Sequence, residues 1–276
     1  MSKPVVALMY DFDKTLCTKD MQEYGFIPAL GMAPGDFWNE VNALTDREEM
    51  DNILAYMFLM VEKSREKDLH ITRDIFREMG AGVEFFPGVD TWFERMDRIG
   101  EELGVRVEHY IVSSGIKEII EGTEIASRFK KIYACEFMYD GEGKIQWPKC
   151  AVNYTAKTQF LFRINKGVLD IDSRSAERLN RFTPENERRI PFRNMIYVGD
   201  GLTDVPCMKL VKANGGQSIA VYDPEKGENG ARALMNDDRV NFLVPADYSE
   251  GGPVEESVRS IMKKIQAVEE IRSLSR

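Results

Sequence analysis

The chain has 276 residues, 43% of them hydrophobic and 30% charged, with a formal net charge of −9. This mixture excludes a disordered or fibrous chain, and the length suits one large core with a smaller second unit. The acidic balance argues against a nucleic-acid-binding surface, which needs clustered positive charge, and it matches an anionic membrane surface poorly. No stretch approaches the roughly 18–20 apolar residues that span a bilayer. Cys17, Cys135, Cys150 and Cys207 are scattered without a C-x-x-C pair, and no secretory signal is recognised. They are expected to be reduced thiols in a cytoplasmic protein. His70 and His109 are the only histidines, so a bound metal would be held by oxygen ligands.

In chain order, Val5–Tyr10 predicts a buried strand that runs straight into Asp11-Phe12-Asp13-Lys14-Thr15-Leu16. About seventy residues then precede the turn at Phe86-Pro87-Gly88, far more than the few of an ordinary strand-to-helix link. This insert carries helical signals of its own. Thr45-Asp46-Arg47-Glu48 fits a capping box, and Met50, Ile53, Leu54, Met57, Phe58 and Val61 follow at helical spacing. Residues 18–86 are therefore read as a small helical cap domain, and residues 1–17 and 87–276 as an α/β catalytic core.

Val89–Leu103 predicts a helix and Arg106–Val112 a strand closed by Ser113-Ser114-Gly115, followed by a helix over Ile116–Ser127. Phe137–Trp147 reads as a β-hairpin around Asp140-Gly141-Glu142-Gly143. Ala156–Asn165 has helical spacing. The polar segment 167–193, with Pro184 and Pro191, predicts a surface loop containing at most one short helix. Its arginines would either line the site entrance or be solvated. Asn194–Val198 predicts a strand ending in Gly199-Asp200-Gly201, then come a helix over Asp204–Val211 and strands at Ser218–Val221 and Val240–Val244. Alternating strands and helices imply a doubly wound, Rossmann-like, mostly parallel sheet, with the cap inserted after the first strand. Such sheets bind ligands at the carboxyl ends of their strands, where Asp11, Ser113 and Asp200 all fall.

Taken with Lys157 at the start of a helix, these residues form four separated motifs in order, and at this point the sequence resembles the haloacid dehalogenase superfamily. The residue types suit phosphoryl transfer in their own right. A phosphate dianion repels a carboxylate, so compensating charge must be present before attack. Magnesium (Mg2+) prefers carboxylate and carbonyl oxygens, and Asp11 and Asp200 can each supply one. Lys157 adds a positive charge and Ser113 a hydroxyl donor. The resemblance implies further that the backbone carbonyl of Asp13 and the side chain of Asp204 help to hold the metal. Asp11 would attack phosphorus and form an aspartyl-phosphate. Asp13 would protonate the leaving alkoxide and later deprotonate water, so its surroundings should favour the neutral form. Thr15 is expected to orient this loop and hydrogen-bond Asp13. Thr203 is expected to cap a helix rather than act in catalysis.

Aspartate at the second motif position points to phosphatase or phosphomutase chemistry; the dehalogenases of the superfamily lack it and the ion-pumping ATPases carry threonine. The superfamily uses a cap after the first motif for small-molecule substrates, so the resemblance implies a small phosphate monoester; the acidic charge argues against a nucleic-acid or membrane partner. The turn at Ser113 and the Ala156-Lys157 pair are most similar to the phosphoserine phosphatase branch. That branch uses a glutamate after the first motif and an arginine in the cap. Here the glutamate's place holds Asp20, and Asn52–Val61 contains no arginine, so phosphoserine is not favoured. Candidate substrate contacts are Thr15, Ser114, Gly115, Asp20 and Glu23, with Tyr24 and Tyr56 better explained by packing. A phosphomutase and a weakly active phosphate- or metal-binding protein are the alternatives. No self-complementary stripe indicates an oligomer.

Overall fold

A computed structural model describes residues 3–274 of the chain. Its centre is a seven-stranded sheet made of β1 (Val5–Tyr10), β2 (Arg106–Ile116), β3 (Lys131–Tyr139), β4 (Ile145–Cys150), β5 (Met195–Gly199), β6 (Gln217–Tyr222) and β7 (Phe242–Pro245), in the order β4-β3-β2-β1-β5-β6-β7. Strand β4 runs antiparallel to β3, and the other neighbours pair in parallel. Val6 to Tyr10 are fully buried, because helices cover both faces of a parallel sheet and leave no solvent side for polar residues. The chain moves from β1 outward through β2 and β3, then returns to β5 on the other flank of β1. That reversal opens a crevice at the carboxyl end of β1.

Four helices lie between β1 and the next core helix: α1 (Phe26–Ala29), α2 (Pro34–Glu48), α3 (Asn52–Glu66) and α4 (Arg73–Gly80). The expected capping box at Thr45 is corrected here. Thr45 lies inside α2, which opens with a proline in its first turn and stops at Glu49 in the left-handed region (φ 49°). The helix start is at Asp51, whose Oδ1 accepts from the Ile53 and Leu54 N–H groups at 3.0 and 3.1 Å. Two chain crossings join this helical unit to the sheet, and they are laced together. Thr18 N–H donates to Glu84 O (3.0 Å) and Phe86 N–H to Leu16 O (2.9 Å). The Tyr24 hydroxyl accepts from Thr18 and Lys19 N–H and donates to Glu84 O. Tyr24 is thus a structural tie between the crossings.

Beyond α5 (Val89–Glu102), β2 continues through Ser113-Ser114-Gly115 to Ile116, and its pairing with β3 becomes irregular over that stretch. Helix α6 is therefore confined to Lys117–Glu121, shorter than the expected span to Ser127. Ile116 is taken into the sheet because its side chain is fully buried there. The predicted hairpin forms, and β3 additionally begins at Lys131 in parallel with β2. After α7 (Ala156–Lys166), segment 167–193 contains α8 (Ser175–Asn180) and packs at the amino end of the sheet rather than at the site entrance. Arg189, Lys130 and Tyr110 all contact Glu108 near the start of β2. Burial pushes the Glu108 carboxyl up, yet these three partners together hold it at about 2. Helices α9 (Val205–Ala213), α10 (Asn229–Asn236) and α11 (Pro253–Leu274) complete the fold. The buried pair between Arg95 and Glu255, 2.9 Å apart, ties α5 to α11.

Candidate active site

Strand β1 delivers Asp11 and β5 delivers Asp200 to adjacent strand ends, because Tyr10 pairs in register with Val198. A short helical turn at Leu202–Asp204 then brings Asp204 back toward them, with Gly201 N–H 3.4 Å from Asp204 Oδ2. Gly199 is required by this return: a Cβ there would lie 2.6 Å from the Asp204 Cγ. Carboxylate oxygens of Asp11, Asp200 and Asp204 lie within 4.8 Å of one another. Thr203 lines the cavity beside them and makes no capping hydrogen bond.

Lys157 enters from the first turn of α7, positioned by Asn153, whose Oδ1 accepts from Ala156 N–H and whose carbonyl accepts from Lys157 N–H. Its fully buried ammonium donates to Asp204 Oδ1 at 2.8 Å and forms an ion pair with Asp11 Oδ1 at 3.1 Å. Burial disfavours the charged lysine, but Asp11 and Asp204 outweigh it and hold Nζ protonated. Tyr197 on β5 donates a second hydrogen bond to Asp204 Oδ1, at 2.7 Å. Asp204 is therefore satisfied by Lys157 and Tyr197. Asp11 Oδ1 meets only the Lys157 ammonium, outside hydrogen-bond alignment. Three enclosed carboxylates so close together carry more negative charge than one lysine offsets, which invites a further cation. Hard divalent cations take such oxygen sets, so Asp11 and Asp200 fit a magnesium-type ion, with Asp204 behind them.

The protonation of the three front carboxylates follows from their enclosure. Burial, then Asp204, pushes Asp11 up to about 6. Burial, then Asp204 and Asp11, raises Asp200 well above the carboxylate range. Burial, then Asp20 and Asp11, does the same to Asp13. Asp13 Oδ1 accepts from Met21 N–H at 2.9 Å, and its Oδ2 faces Gly115, where a Cβ would approach it to 2.9 Å. Gly115 is thus the residue that lets β2 pass beside Asp13. Lys14, next in the chain, adopts the left-handed region (φ 57°), a strained conformation for lysine. Its Nζ pairs with Asp20 Oδ2 at 2.6 Å.

The remaining expected residues are distributed as follows. Ser113 is fully buried, and its Oγ accepts from Gly115 N–H at 3.0 Å, which leaves the hydroxyl hydrogen to donate. Ser114 spends its hydroxyl on Val152 O (2.7 Å). The expected bond from Thr15 to Asp13 does not form: Thr15 is buried and its Oγ1 has no partner among the described residues. Its carbonyl is instead held by Tyr248, whose buried hydroxyl donates to it at 2.8 Å. Glu23 accepts from Trp38 Nε1 at 3.2 Å and lies outside the lining of the cavity. Asp20 lines it. Tyr56 packs, as expected, but its hydroxyl also reaches Ser114 O at 2.6 Å, so it too borders the site.

A cavity of about 340 Å3 opens over Asp11, Asp13 and Asp200. Gln22, Trp38 and Asn52 from the helical insert also line it, as does Lys14. None of these four was legible in the sequence. Gln22, Trp38 and Asn52 sit in the insert, where no motif marks a position, and a lysine in a turn carries no distinguishing signal. Tyr197 reads in sequence as one more apolar strand residue.

Fold and site together define an α/β protein centred on a buried aspartate cluster at a topological switch point. A family model for haloacid dehalogenase-like hydrolases matches residues 8–209, and the chain belongs to this family of hydrolases. A Borreliella burgdorferi protein described only as uncharacterized is 30% identical, covering 90% of this chain and 93% of its own. Among solved structures, a substrate-bound phosphoserine phosphatase complex superposes with a TM-score of 0.55 at 14% identity, over 88% of this chain and 93% of that one. A phosphoserine phosphohydrolase-like protein from Francisella tularensis gives 0.52 at 17% identity, over 88% and 95%. A hydrolase of the same family from Salmonella enterica gives 0.55 at 15%, over 88% and 68%. At these identities the likeness is one of fold. Among the described residues no helix is long and apolar enough to cross a membrane.

Proposed function

We propose that this protein is a magnesium-dependent phosphatase that hydrolyses a small phosphate monoester through an aspartyl-phosphate on Asp11. The observation that carries this reading is the pairing of two aspartates with opposite requirements at one strand end. Asp11 lies against Lys157 and the other metal-fitting carboxylates, whereas Asp13 makes no ion pair among the described residues, and burial, then Asp20 and Asp11, raises its carboxyl well above the usual range.

Asp11 and Asp200, with the Asp13 carbonyl and Asp204 in support, would hold the metal. When bound, the ion supplies positive charge that neutralises the phosphoryl oxygens. The chain's own groups do the rest. Lys157 places its ammonium beside Asp11 and the transferring group, so that a dianion can approach a carboxylate. Ser113 donates its hydroxyl hydrogen to a phosphoryl oxygen. The Asp11 carboxylate oxygen attacks phosphorus, the bond from phosphorus to the ester oxygen breaks, and Asp13 gives its proton to the departing alkoxide. Asp13, now a carboxylate, accepts a proton from water as that water attacks the same phosphorus. Inorganic phosphate leaves and Asp11 regains its charge. Residues 18–86 act as a cap whose Gln22, Trp38 and Asn52 face the alcohol half of the ester and limit water at the site.

The test is phosphate release from p-nitrophenyl phosphate, with and without magnesium, for wild type and Asp11→Asn. Magnesium-dependent turnover abolished by the substitution is expected. Undiminished turnover in Asp11→Asn would rule out the aspartyl-phosphate. A wild type that accumulates the phosphorylated aspartate without releasing phosphate would instead favour a mutase.

A further inference from the structure

The part of the cavity beyond the aspartates constrains the alcohol half of the ester, and the inference drawn from it rests on the phosphatase reading. Trp38, Ile53 and Tyr56 supply an apolar wall. The Trp38 ring is fixed by its bond to Glu23 and by an edge-on contact with Tyr56, ring centres 6.1 Å apart. A wall that is already ordered binds without paying the entropy of ordering it. Against this wall stand two carboxamides, Gln22 and Asn52. Asn52 is committed through Nδ2 to Asn42 and Thr45. Gln22 is 2% exposed, and its Oε1 has no hydrogen-bond partner among the described residues. A buried amide oxygen without a donor is costly, and a ligand that brings one recovers that cost.

The charges point the same way. Asp11, Asp13, Asp20 and Asp200 line the cavity, and Lys14 is the cation among the described lining residues. Lys14 is already paired with Asp20 at 2.6 Å. Lys157 is enclosed behind Asp11 and Asp204. The phosphate dianion itself consumes the positive charge at the aspartate end. A second anionic group on the substrate would therefore meet the Asp20–Lys14 pair and no free cation among the described lining residues.

We propose that the substrate's leaving group is a small neutral or amine-bearing alcohol that carries no carboxylate or other anionic group. It presents a hydroxyl or amine donor to Gln22 Oε1 and packs its carbon face on Trp38. Matched esters that differ in a carboxylate test this directly: phosphoethanolamine against phosphoserine, and glycerol 3-phosphate against 3-phosphoglycerate. The carboxylate-free member of each pair is expected to show a kcat/KM at least about tenfold higher. Gln22→Leu is expected to lower the kcat/KM for phosphoethanolamine and glycerol 3-phosphate by about tenfold more than that for p-nitrophenyl phosphate, whose ring offers no donor. The wild-type comparison stands whether or not that variant folds. Equal or better turnover of phosphoserine or 3-phosphoglycerate, with p-nitrophenyl phosphate still cleaved through Asp11, overturns this inference and leaves the phosphatase reading intact. No turnover of any ester, the aryl phosphate included, removes both.

Discussion

Asp11 and Asp13 are two residues apart and differ in what surrounds them. Asp11 looks toward Lys157 and the metal-fitting carboxylates; Asp13 looks toward Met21, Gly115 and the mouth of the cavity. Replacing Asp13 by asparagine preserves the Met21 hydrogen bond but removes the proton donor. Asp13→Asn is therefore expected to lower kcat by about 10²–10⁴-fold in steady-state assays, with magnesium affinity changed little. A loss of magnesium affinity as large as the loss of rate would show that Asp13 acts through the metal and not through its proton. The elevated Asp11 value, about 6, makes a separate prediction. Below that pH a cation must displace a proton from Asp11. Magnesium affinity by calorimetry should accordingly fall as the pH drops through 6, approaching about tenfold per pH unit for the proton displaced from Asp11. A flat profile from pH 5 to 7 would exclude Asp11 as a ligand.

Among the elements, α3 carries the most consequence for its length. Asp51 caps it through Oδ1, and its Oδ2 accepts from Asn153 Nδ2 at 2.8 Å. Asn153 in turn organises the first turn of α7, which bears Lys157. One aspartate thus ties the helical insert to the loop that presents the buried lysine. Asp51→Ala is expected to cost about 1–2 kcal/mol in urea unfolding, from the lost cap and the unpaired Asn153. Asp51→Asn should recover only the capping part of that cost, since its side-chain oxygen still caps while its amide nitrogen cannot accept from Asn153 Nδ2. If both substitutions are neutral, the cap is not a determinant of stability. On the opposite face, Tyr248 and Arg95 hold α11 against α5 and the motif loop: Arg95 donates to Glu255 and to the Tyr248 carbonyl, while the Tyr248 hydroxyl donates to Thr15 O.

For the molecule as a whole, the site is a cluster of like charges held together by the surrounding core. Burial together with Asp204 and Asp11 raises Asp200 above its unfolded value, so the fold favours its neutral form. The sign follows: this carboxyl's contribution to stability is present at low pH and is lost as the pH rises toward and through its raised folded value. At pH 7.5 without metal, Asp200→Asn should therefore raise Tm, by about 2–4 °C for each kcal/mol of repulsion relieved. Saturating magnesium should reverse the order, because wild type gains binding energy that the variant forgoes. An unchanged or lowered Tm in chelator would show that the cluster is not strained.

The buried strands at β1 and β5, the doubly wound class and the placement of Asp11 and Asp200 at strand ends were legible from the sequence. Each depends on short apolar runs that end in charged residues, and such runs have no soluble alternative to burial. The order of the motifs along the chain likewise pointed to Lys157, which proved to lie between Asp11 and Asp204. Local capping was misread at Thr45, which lies in the last turn of α2; the cap is Asp51, directly before the apolar run of α3. Segment 167–193 carries no local pattern that selects an end of the sheet; the Arg189–Glu108 pair holds it at the amino end.

By itself, the sequence determined the chemistry that the strand ends can perform, since periodicity fixes which residues are buried and strand direction fixes where the next polar residues emerge. Only the tertiary structure decided what that chemistry meets. Trp38, Gln22 and Asn52 come from a helical insert with no motif, and they share a cavity with Asp13 because the laced crossings, the Asp51–Asn153 bond and packing such as Phe76 on Phe137 hold that insert against the core. Contacts between elements distant in sequence depend on the packing of whole faces, and no local pattern of residues encodes them.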